Sequence, residues 1–441
     1  MQTALTTALP DIIQEMGVTA NAGQWLTSGF SLAMGIMIPA TAWLIQRFPT
    51  KPLFITSMFL FSAGALVAAI APTFVWLLIG RITQALGTGI LLSLTQVVIL
   101  TIYPQAQQGG MMGIYGLAAS AAPIIAPTIT GLLIDYMSWR IIFWFGLGVA
   151  LVDIIFALVV MKDVLPTRRE HFDWPSFLLV SAAFTGITIG FGNLGTAPFL
   201  SSGIALPLGV ALLMAVVFVW RSLRIEKPLL DLRAFRNRVF RTAVILSVLM
   251  YAILIAASTL FPIYVQTVHH LSATVSGLIM MPGSLLMAVM SPITGRLYDR
   301  FGIRPLVLTG GTLLLVSSIG TSFLTIGTSV AYLTAVWTIR SAALACMMMP
   351  IVTWSVTQLS GGAIASASAI LTTLRTIAGA VGAAVMVALM AFVTKQGHVG
   401  QPAVASVGGM NAAFMALTVL ASVLLVISLW SVRRNKAVEG E

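Results

Sequence analysis

The chain of 441 residues is 59% hydrophobic and only 8% charged, and its mean hydropathy is +1.02. This balance excludes a water-soluble globule of ordinary composition and predicts an integral membrane protein. The formal charge of +11 would suggest nucleic acid in a soluble chain, but its placement indicates membrane orientation, so we expect no nucleic-acid partner. The single cysteine, Cys346, lies in an apolar run and can form no internal disulfide.

Apolar stretches long enough to cross a bilayer follow one another along the chain. They cover residues 25–46, 53–71, 75–102, 111–134, 141–161, 175–194, 203–220, 242–265, 273–293, 305–327, 330–354, 363–393 and 410–432. Ahead of them, Met1 to Leu9 is apolar and ends at Pro10, but nine helical residues cover only ~14 Å of a core ~30 Å thick. We interpret this segment as the second half of a first span. A truncated chain or an internal start is favoured over a native half-span, and the parent plan has fourteen spans.

One fifteen-residue stretch occurs twice. Residues 39–53 return 253 positions later as residues 292–306 with seven identities, and each copy is a basic turn between two apolar spans. Duplicated helical halves around a central site are typical of transporters. We therefore predict an all-helical membrane fold with a six-helix half at 1–165, an inserted pair of spans with a basic loop at 166–238, and a second six-helix half at 239–441.

Basic residues concentrate in alternate loops. With the partial span counted as the first, the loops after spans 2, 6, 8 and 10 and the C-terminal tail hold 18 of the 23 lysines and arginines. Only Arg140 and Lys395 fall in loops of the opposite parity. The positive-inside rule predicts that the even-numbered loops and the C-terminus are cytoplasmic.

Three arginines lie inside apolar runs, where a charge is costly unless it faces a cavity or a partner. Arg81 shares a helix face with Gln84, three residues on, which forms a polar stripe; snorkelling to the outer surface is the alternative. Arg340 and Arg375 lie deeper. We expect both to face an aqueous cavity or a carboxylate, and the alternative is a structural bridge to backbone carbonyls of a neighbouring span.

Two further features of the spans are candidates for function. Asp153 is the one acid deep in an apolar run, where a buried carboxylate could take up and release a proton; a silent hydrogen-bonding group is the alternative. Pro123, Pro127 and Gly131 are spaced by four residues in span 5, which predicts a bent helix that a neighbour can approach closely. This stripe is either a hinge or seal for alternating access or a static kink.

The sequence contains no P-loop and no histidine-rich metal cluster. We therefore predict that the protein is not an enzyme and that it uses no metal or other cofactor. Its energy source would be an ion gradient, unless a partner subunit hydrolyses ATP.

Together these features resemble the major facilitator superfamily, and within it the fourteen-span drug:proton antiporters of the EmrB/QacA type. The resemblance covers essentially the whole chain, and its cytoplasmic loop motif implies a role in conformational gating. The second copy of this motif is nearly intact and comprises Gly295, Asp299, Arg300, Gly302 and Arg304. The first copy keeps Arg47 and Lys51, whereas Ala42, Gln46 and Pro49 replace its glycine, acid and second glycine.

The resemblance also implies roles within the spans. Arg81, Gln84 and Gly87 fit the family's span-4 motif, whose arginine is linked to proton coupling. Met1 stands where many members have a first-span acid, so coupling would use Asp153, another group, or a water near Arg81. The family's fold argues against Asp153, because the third and sixth spans of a half pack outside the central cavity.

The span-5 stripe is similar to the family's exporter-associated motif, which favours the hinge interpretation. The family implies a proton-coupled antiporter that exports lipophilic drugs or related amphiphiles by alternating access, as a monomer in a bacterial cytoplasmic membrane. Its substrate site would lie at midplane between the halves. The aromatic candidates for this site are Phe30, Tyr115, Tyr251, Trp337 and Trp354.

Two alternatives stay open at this point. The same fold could export one endogenous metabolite or lipid, or the protein could be a membrane sensor that binds ligand without moving it. Three intramembrane arginines against one acid fit poorly with an exclusively cationic substrate range. Neutral, zwitterionic and anionic amphiphiles therefore remain candidates.

Overall fold

The computed structural model describes residues 2–167, 171–193, 201–226, 228–359, 362–396 and 402–432. These residues form α-helices and one short 3-10 helix (Leu232–Arg236), without a strand among them, so the all-helical prediction is confirmed. The helices are α1 (Gln2–Met16), α2 (Ala20–Arg47), α3 (Thr50–Ala69), α4 (Phe74–Ile102), α5 (Gln105–Tyr136), α6 (Ile141–Val160), α7 (Trp174–Gly192), α8 (Ser202–Arg224), α9 (Arg238–Thr267), α10 (Ala273–Phe301), α11 (Ile303–Ser322), α12 (Val330–Val356), α13 (Gly362–Gln396) and α14 (Pro402–Ser431).

Most of these helices have the length and composition of membrane spans. Within the described ranges, twelve are long and apolar enough to cross a bilayer. The twelve do not include α1, which has 15 residues, or α5, which has 32 residues and by length alone could cross. The protein is therefore a multi-pass membrane protein.

The first helix is longer than the sequence predicted. α1 does not end at Pro10 but continues to Met16. Ile12 is fully buried in an apolar cluster that also contains Phe143 of α6. Burial of this turn outweighs the one backbone hydrogen bond that a proline removes. The helix ends before Gly17, whose φ of +63° is the left-handed geometry that glycine adopts readily.

The helices form two bundles with the same internal packing. In the N-terminal bundle (α1–α6), α4 packs on α2 and α3, and α3 packs on α6. In the C-terminal bundle (α9–α14), α12 packs on α10 and α11, and α11 packs on α14. The sequence repeat is thus a repeat of helix packing, while the residue boundaries predicted for the halves stay a prediction.

The bundles meet along two interfaces. The more extensive one joins α5 to α10, and the other joins α2 to α13. The α7–α8 hairpin packs on the second interface, because α7 contacts both α2 and α13. There the ring of Phe184 lies directly against the backbone of Gly35, where a larger residue would not fit. The inserted hairpin therefore covers the α2–α13 interface and leaves α5–α10 uncovered.

One end of the molecule is closed between the bundles. We call it the basic face, and it carries the turns that join α2 to α3, α6 to α7, α8 to α9 and α10 to α11. An apolar cluster behind it combines Leu94 and Met112 of the N-terminal bundle with Val352 and Ile364 of the C-terminal bundle, and Leu230 of the α8–α9 loop joins them. The end away from these turns is the opposite face.

Candidate functional site

Arg81 is fully enclosed between α2 and α4. Its Nη1 donates to Oε1 of Gln84 at 2.9 Å, and its Nε donates to the carbonyl oxygen of Leu26 at 3.4 Å. The guanidinium carbon lies 4.2 Å from the centre of the Phe30 ring. Nη2 of Arg81 and Nε2 of Gln84 have no hydrogen-bond partner among the described residues. Arg81 is therefore an interior cation and does not reach the surface.

Glycines set the depth of this site. A Cβ on Gly64 of α3 would lie 2.5 Å from the backbone nitrogen of Gln84, and a Cβ on Gly87 of α4 would overlap the carbonyl oxygen of Ser57. The absence of side chains at these positions lets α3 and α4 approach closely. The close approach buries Gln84 beside Arg81, as the polar stripe in the sequence predicted.

A second polar group lies at the junction of the two bundles. The guanidinium carbon of Arg375 on α13 lies 5.1 Å from the centre of the Tyr251 ring on α9. Tyr115 of α5 lies beside Gln96 of α4 and interacts electrostatically with Arg375 and Tyr251. Arg375 is 5% exposed and Gln96 is fully buried. We call these four residues the central cluster, and each bundle supplies two of them.

The central cluster has unused hydrogen-bonding capacity. Neither polar atom of the Gln96 amide has a partner within the described part of the chain by hydrogen-bond geometry. The two tyrosine rings offer flat apolar surface beside these polar atoms, and Arg375 adds a positive charge. This combination suits a ligand with an apolar body and a polar group. Sequence analysis missed Gln96, although an amide inside the apolar run of span 4 is a signal of the same kind as Arg81.

Arg340 is not part of this junction. Its Nη2 donates to Oγ1 of Thr321 at 3.0 Å and to Oγ of Ser318 at 3.4 Å, both on α11. The Phe414 ring of α14 lies 6.0 Å from its guanidinium carbon. Arg340 therefore lies away from the junction of the two bundles, and its expected contact with an aqueous cavity or a carboxylate stays a prediction. α12 turns this residue toward α11 and α14, inside the C-terminal bundle.

Asp153 lies apart from both groups. Its side chain is exposed on the outer surface of α6, between Val152 and Phe156, which are 65% and 66% exposed. Other parts of the protein therefore do not enclose Asp153, and its role in proton uptake stays a prediction. α6 packs on α3 at the periphery of the N-terminal bundle, so this acid faces away from Arg81 and from the junction.

The intact copy of the loop motif holds the α5–α10 interface together. The carboxylate of Asp299 accepts hydrogen bonds from the backbone N–H groups of Gly109 at 2.8 Å and of Gly110 at 2.7 Å, near the start of α5. Gly295 lies against the carbonyl oxygen of Gly109, and a Cβ there would overlap it. Gly302 has φ +74° and forms the turn into α11. Two motif residues, Asp299 and Gly295, thus lie where the bundles touch, and the gating role stays a prediction.

In the described part of the chain, the degraded copy forms no comparable hydrogen bond between the bundles. Gln46, at the position of the acid, donates to the carbonyl oxygen of Ala42 in its own helix. Lys51 donates from its backbone nitrogen to Asp163 and from Nζ to the carbonyl oxygen of Leu158, so it ties the α2–α3 turn to the end of α6. These bonds stay within the N-terminal bundle and its adjoining loop. The first copy thus lacks the glycine and the acid with which the second copy joins the two bundles.

The remaining predicted residues are placed as follows. The cations Arg47 and Arg300 lie over the neighbouring rings of Phe48 and Phe301, and Arg304 is half-buried at the start of α11. Asp299 and Arg300 line an open groove of about 470 Å³ at the basic face.

The other aromatic candidates are in helix packing. Trp337 packs on Phe261 with ring centres 4.7 Å apart, and Trp354 is buried in the core of the C-terminal bundle. Of the five, only Tyr115 and Tyr251 reach the junction with Arg375. The side chains of Pro123 and Pro127 and the surroundings of Gly131 lie outside the described residues, so the role of this stripe stays a prediction. Within the described ranges, no group of three His, Cys, Asp or Glu side chains could hold a metal ion.

Comparison with known proteins gives a family and a fold. Residues 1–383 match the family described as the Major Facilitator Superfamily. The MFS-type transporter YcnB of Bacillus subtilis is 38% identical over 97% of this chain and 90% of its own length. The lincomycin resistance protein LmrB of Listeria monocytogenes is 34% identical over 99% of this chain and 94% of its own length. The solved structure of the proton:xylose symporter XylE matches with a TM-score of 0.62 at 15% identity, covering 96% of this chain and 91% of XylE.

Proposed function

Because the chain belongs to the major facilitator superfamily, we propose that it is a proton-coupled antiporter that exports lipophilic drugs or related amphiphiles by alternating access. The observation that carries this proposal is the central cluster, where both bundles contribute aromatic and polar groups to one place. A site shared by two bundles can face either side of a membrane as the bundles rock. Relatives named for lincomycin resistance and for multidrug resistance support a drug as the cargo.

The proposal assigns a state to the structure. We place the basic face in the cytoplasm of a bacterial cytoplasmic membrane, with the C-terminus on the same side, following the positive-inside rule. On that side Asp299 joins the bundles, and Nε2 of Gln105 also donates to the carbonyl oxygen of Thr357 at 3.0 Å. The state is then closed to the cytoplasm. Cargo would enter when these bonds break.

Proton coupling is assigned to Arg81 and Gln84. Their two unpartnered nitrogens can hold a water between them, because a buried polar group without a protein partner usually binds one. The fixed charge of Arg81 would favour the deprotonated form of any group beside it. The water near Arg81, or another group beside it, would accept the proton, and this uptake would then depend on the position of α2, which supplies Leu26 and Phe30.

Reconstitution tests the proposal. The purified protein is placed in liposomes with an acidic lumen, and a lumenal pH dye is followed while a panel of amphiphiles is added. We expect substrate-dependent loss of the gradient with the wild type and none with Arg81→Ala. Arg241→Ala is the matched control, because Arg241 is an exposed cation at the start of α9. Its proton movement should equal that of the wild type.

The outcomes separate the alternatives. A response to a single metabolite or lipid, and to no drug, would replace the cargo in the proposal but keep antiport. Ligand binding by a folded protein without any movement of protons would reject antiport and favour the sensor. Equal responses from Arg81→Ala and the wild type would remove Arg81 from the coupling machinery.

A further inference from the structure

Among the described residues, Arg340 is a buried cation without a counter-charge. It is 1% exposed, and its Nε and Nη1 atoms have no hydrogen-bond partner among the described residues. Its two bonds go to uncharged hydroxyl groups, those of Ser318 and Thr321. A guanidinium has five N–H donors and no acceptor, so most of its donors are unsatisfied here.

The sequence offers this arginine no acid. Between residues 239 and 438 the only acidic residue is Asp299. That carboxylate lies at the basic face, where Gly109 and Gly110 already donate to it. Arg340, by contrast, contacts Thr321 in the last turn of α11, near the opposite face. No acidic side chain of the C-terminal bundle can therefore pair with it, whatever its rotamer.

We propose that Arg340, Ser318 and Thr321 form a binding site for a small monovalent anion such as chloride inside the C-terminal bundle. An anion supplies the negative charge that the bundle lacks, and it accepts hydrogen bonds from the free N–H groups of Arg340. The hydroxyls contribute as well: that of Ser318 can rotate to donate to an anion while its oxygen accepts from the guanidinium, and that of Thr321 can do so by giving up its bonds to the carbonyl oxygens of Ser317 and Ser318. The site is separate from the central cluster and from Arg81.

Further hydroxyls extend from this site toward the opposite face. Ser322 ends α11, and its Oγ is 2.8 Å from Oγ1 of Thr418 on α14. Thr321 also bonds to the carbonyl oxygens of Ser317 and Ser318. Polar side chains thus continue from Arg340 to the α11–α12 loop. An anion would enter from that side.

Thermal unfolding of the full-length protein in detergent tests the site. The melting temperature is measured while chloride replaces gluconate at constant ionic strength. We expect a saturable rise with chloride in the wild type. In Thr321→Val the half-saturating concentration should rise about tenfold, the effect of one lost hydrogen bond to a charged ligand. Thr312→Val is the matched control, because this exposed hydroxyl of α11 bonds only to its own helix.

Two results would overturn the proposal. One is a melting temperature that is the same in chloride and gluconate. The other is an identical chloride response in the wild type, Thr321→Val and Arg340→Gln, which would mark a non-specific salt effect. If Arg340→Gln does not fold, Thr321→Val still decides. In a structure determined with bromide, anomalous scattering beside Arg340 would support the site, and an ordered water in its place would reject it.

Discussion

Asp299→Asn should shift the protein toward the state that is open at the basic face. Asparagine keeps one acceptor oxygen, so one of the two bonds from Gly109 and Gly110 is lost together with the negative charge at the start of α5. A hydrogen bond to a charged group contributes about 1.5–3 kcal/mol, and a charge at a helix N-terminus about 0.3–1 kcal/mol. Because Asp299 is half-buried, we take the lower end, about 2 kcal/mol in total, which is a factor of about 30 in the closed-to-open equilibrium.

Cysteine labelling measures this shift. Cys346 is the single cysteine and is buried, so Cys346→Ser gives a background without thiols. Ser291→Cys then places one thiol in the α5–α10 interface, where Ser291 lies against Gly113 and Gly116. A maleimide added at the basic face reacts only when the bundles separate. Asp299→Asn should raise the labelling rate about 30-fold, in proportion to the open population.

A matched carboxylate serves as the control. Asp163 also accepts a backbone N–H, from Lys51, but joins two parts on the same side of the interface. Asp163→Asn should leave the labelling rate unchanged. A change of less than about threefold in the labelling rate of Asp299→Asn would refute the reasoning. It would mean that the Asp299 carboxylate stabilises the closed state by less than about 0.7 kcal/mol.

Three other substitutions test separate parts of the structure. Gly295→Ala should hold the interface open, since its Cβ would overlap the carbonyl oxygen of Gly109; fast labelling that substrate does not slow is the expected result, and slow labelling would contradict the close contact. Asp153→Asn should leave substrate-driven proton movement intact, because this side chain is exposed on the periphery; loss of that movement in liposomes would restore Asp153 to the coupling path. Burial alone would raise the pKa of Asp173, but hydrogen bonds from Ser176 and Arg221 outweigh burial and leave the pKa below its usual value. The stabilisation by Asp173 is therefore full above about pH 4 and is lost as pH falls through the lowered pKa, so melting curves should show an acid-side loss that Asp173→Asn lacks.

The number and order of the helices followed from the sequence because apolar length is itself the physical requirement for crossing a bilayer. Boundaries were less accurate. The span predicted at 242–265 is α9, Arg238–Thr267, because Asn237 caps the helix five residues before the apolar run begins. Polar caps lie outside the apolar signal, so hydropathy alone shortens a helix.

The sequence predicted how deep the arginines lie within the membrane spans, but not which neighbouring helices their side chains face. Arg340 and Arg375 both lie well inside apolar runs, yet one faces α11 and α14 and the other reaches the junction of the bundles. The rotation of a helix about its axis is set by the neighbours on which it packs, and these are distant in sequence. The surroundings of Arg81 were easier to predict, since Gln84 lies on the same helix face and is a partner close in sequence.

At Gly109 and Gly295 the α5–α10 contact brings backbone directly against backbone, with the Asp299 carboxylate bonded beside it. Dispersion attraction between such surfaces falls by about a quarter to a half when a gap of about 0.5–1 Å opens. A partly opened interface would therefore lose much of the stabilisation of the closed one. The transition should behave as a switch with two positions, and single-molecule distance traces across these helices should show abrupt jumps without a populated intermediate spacing.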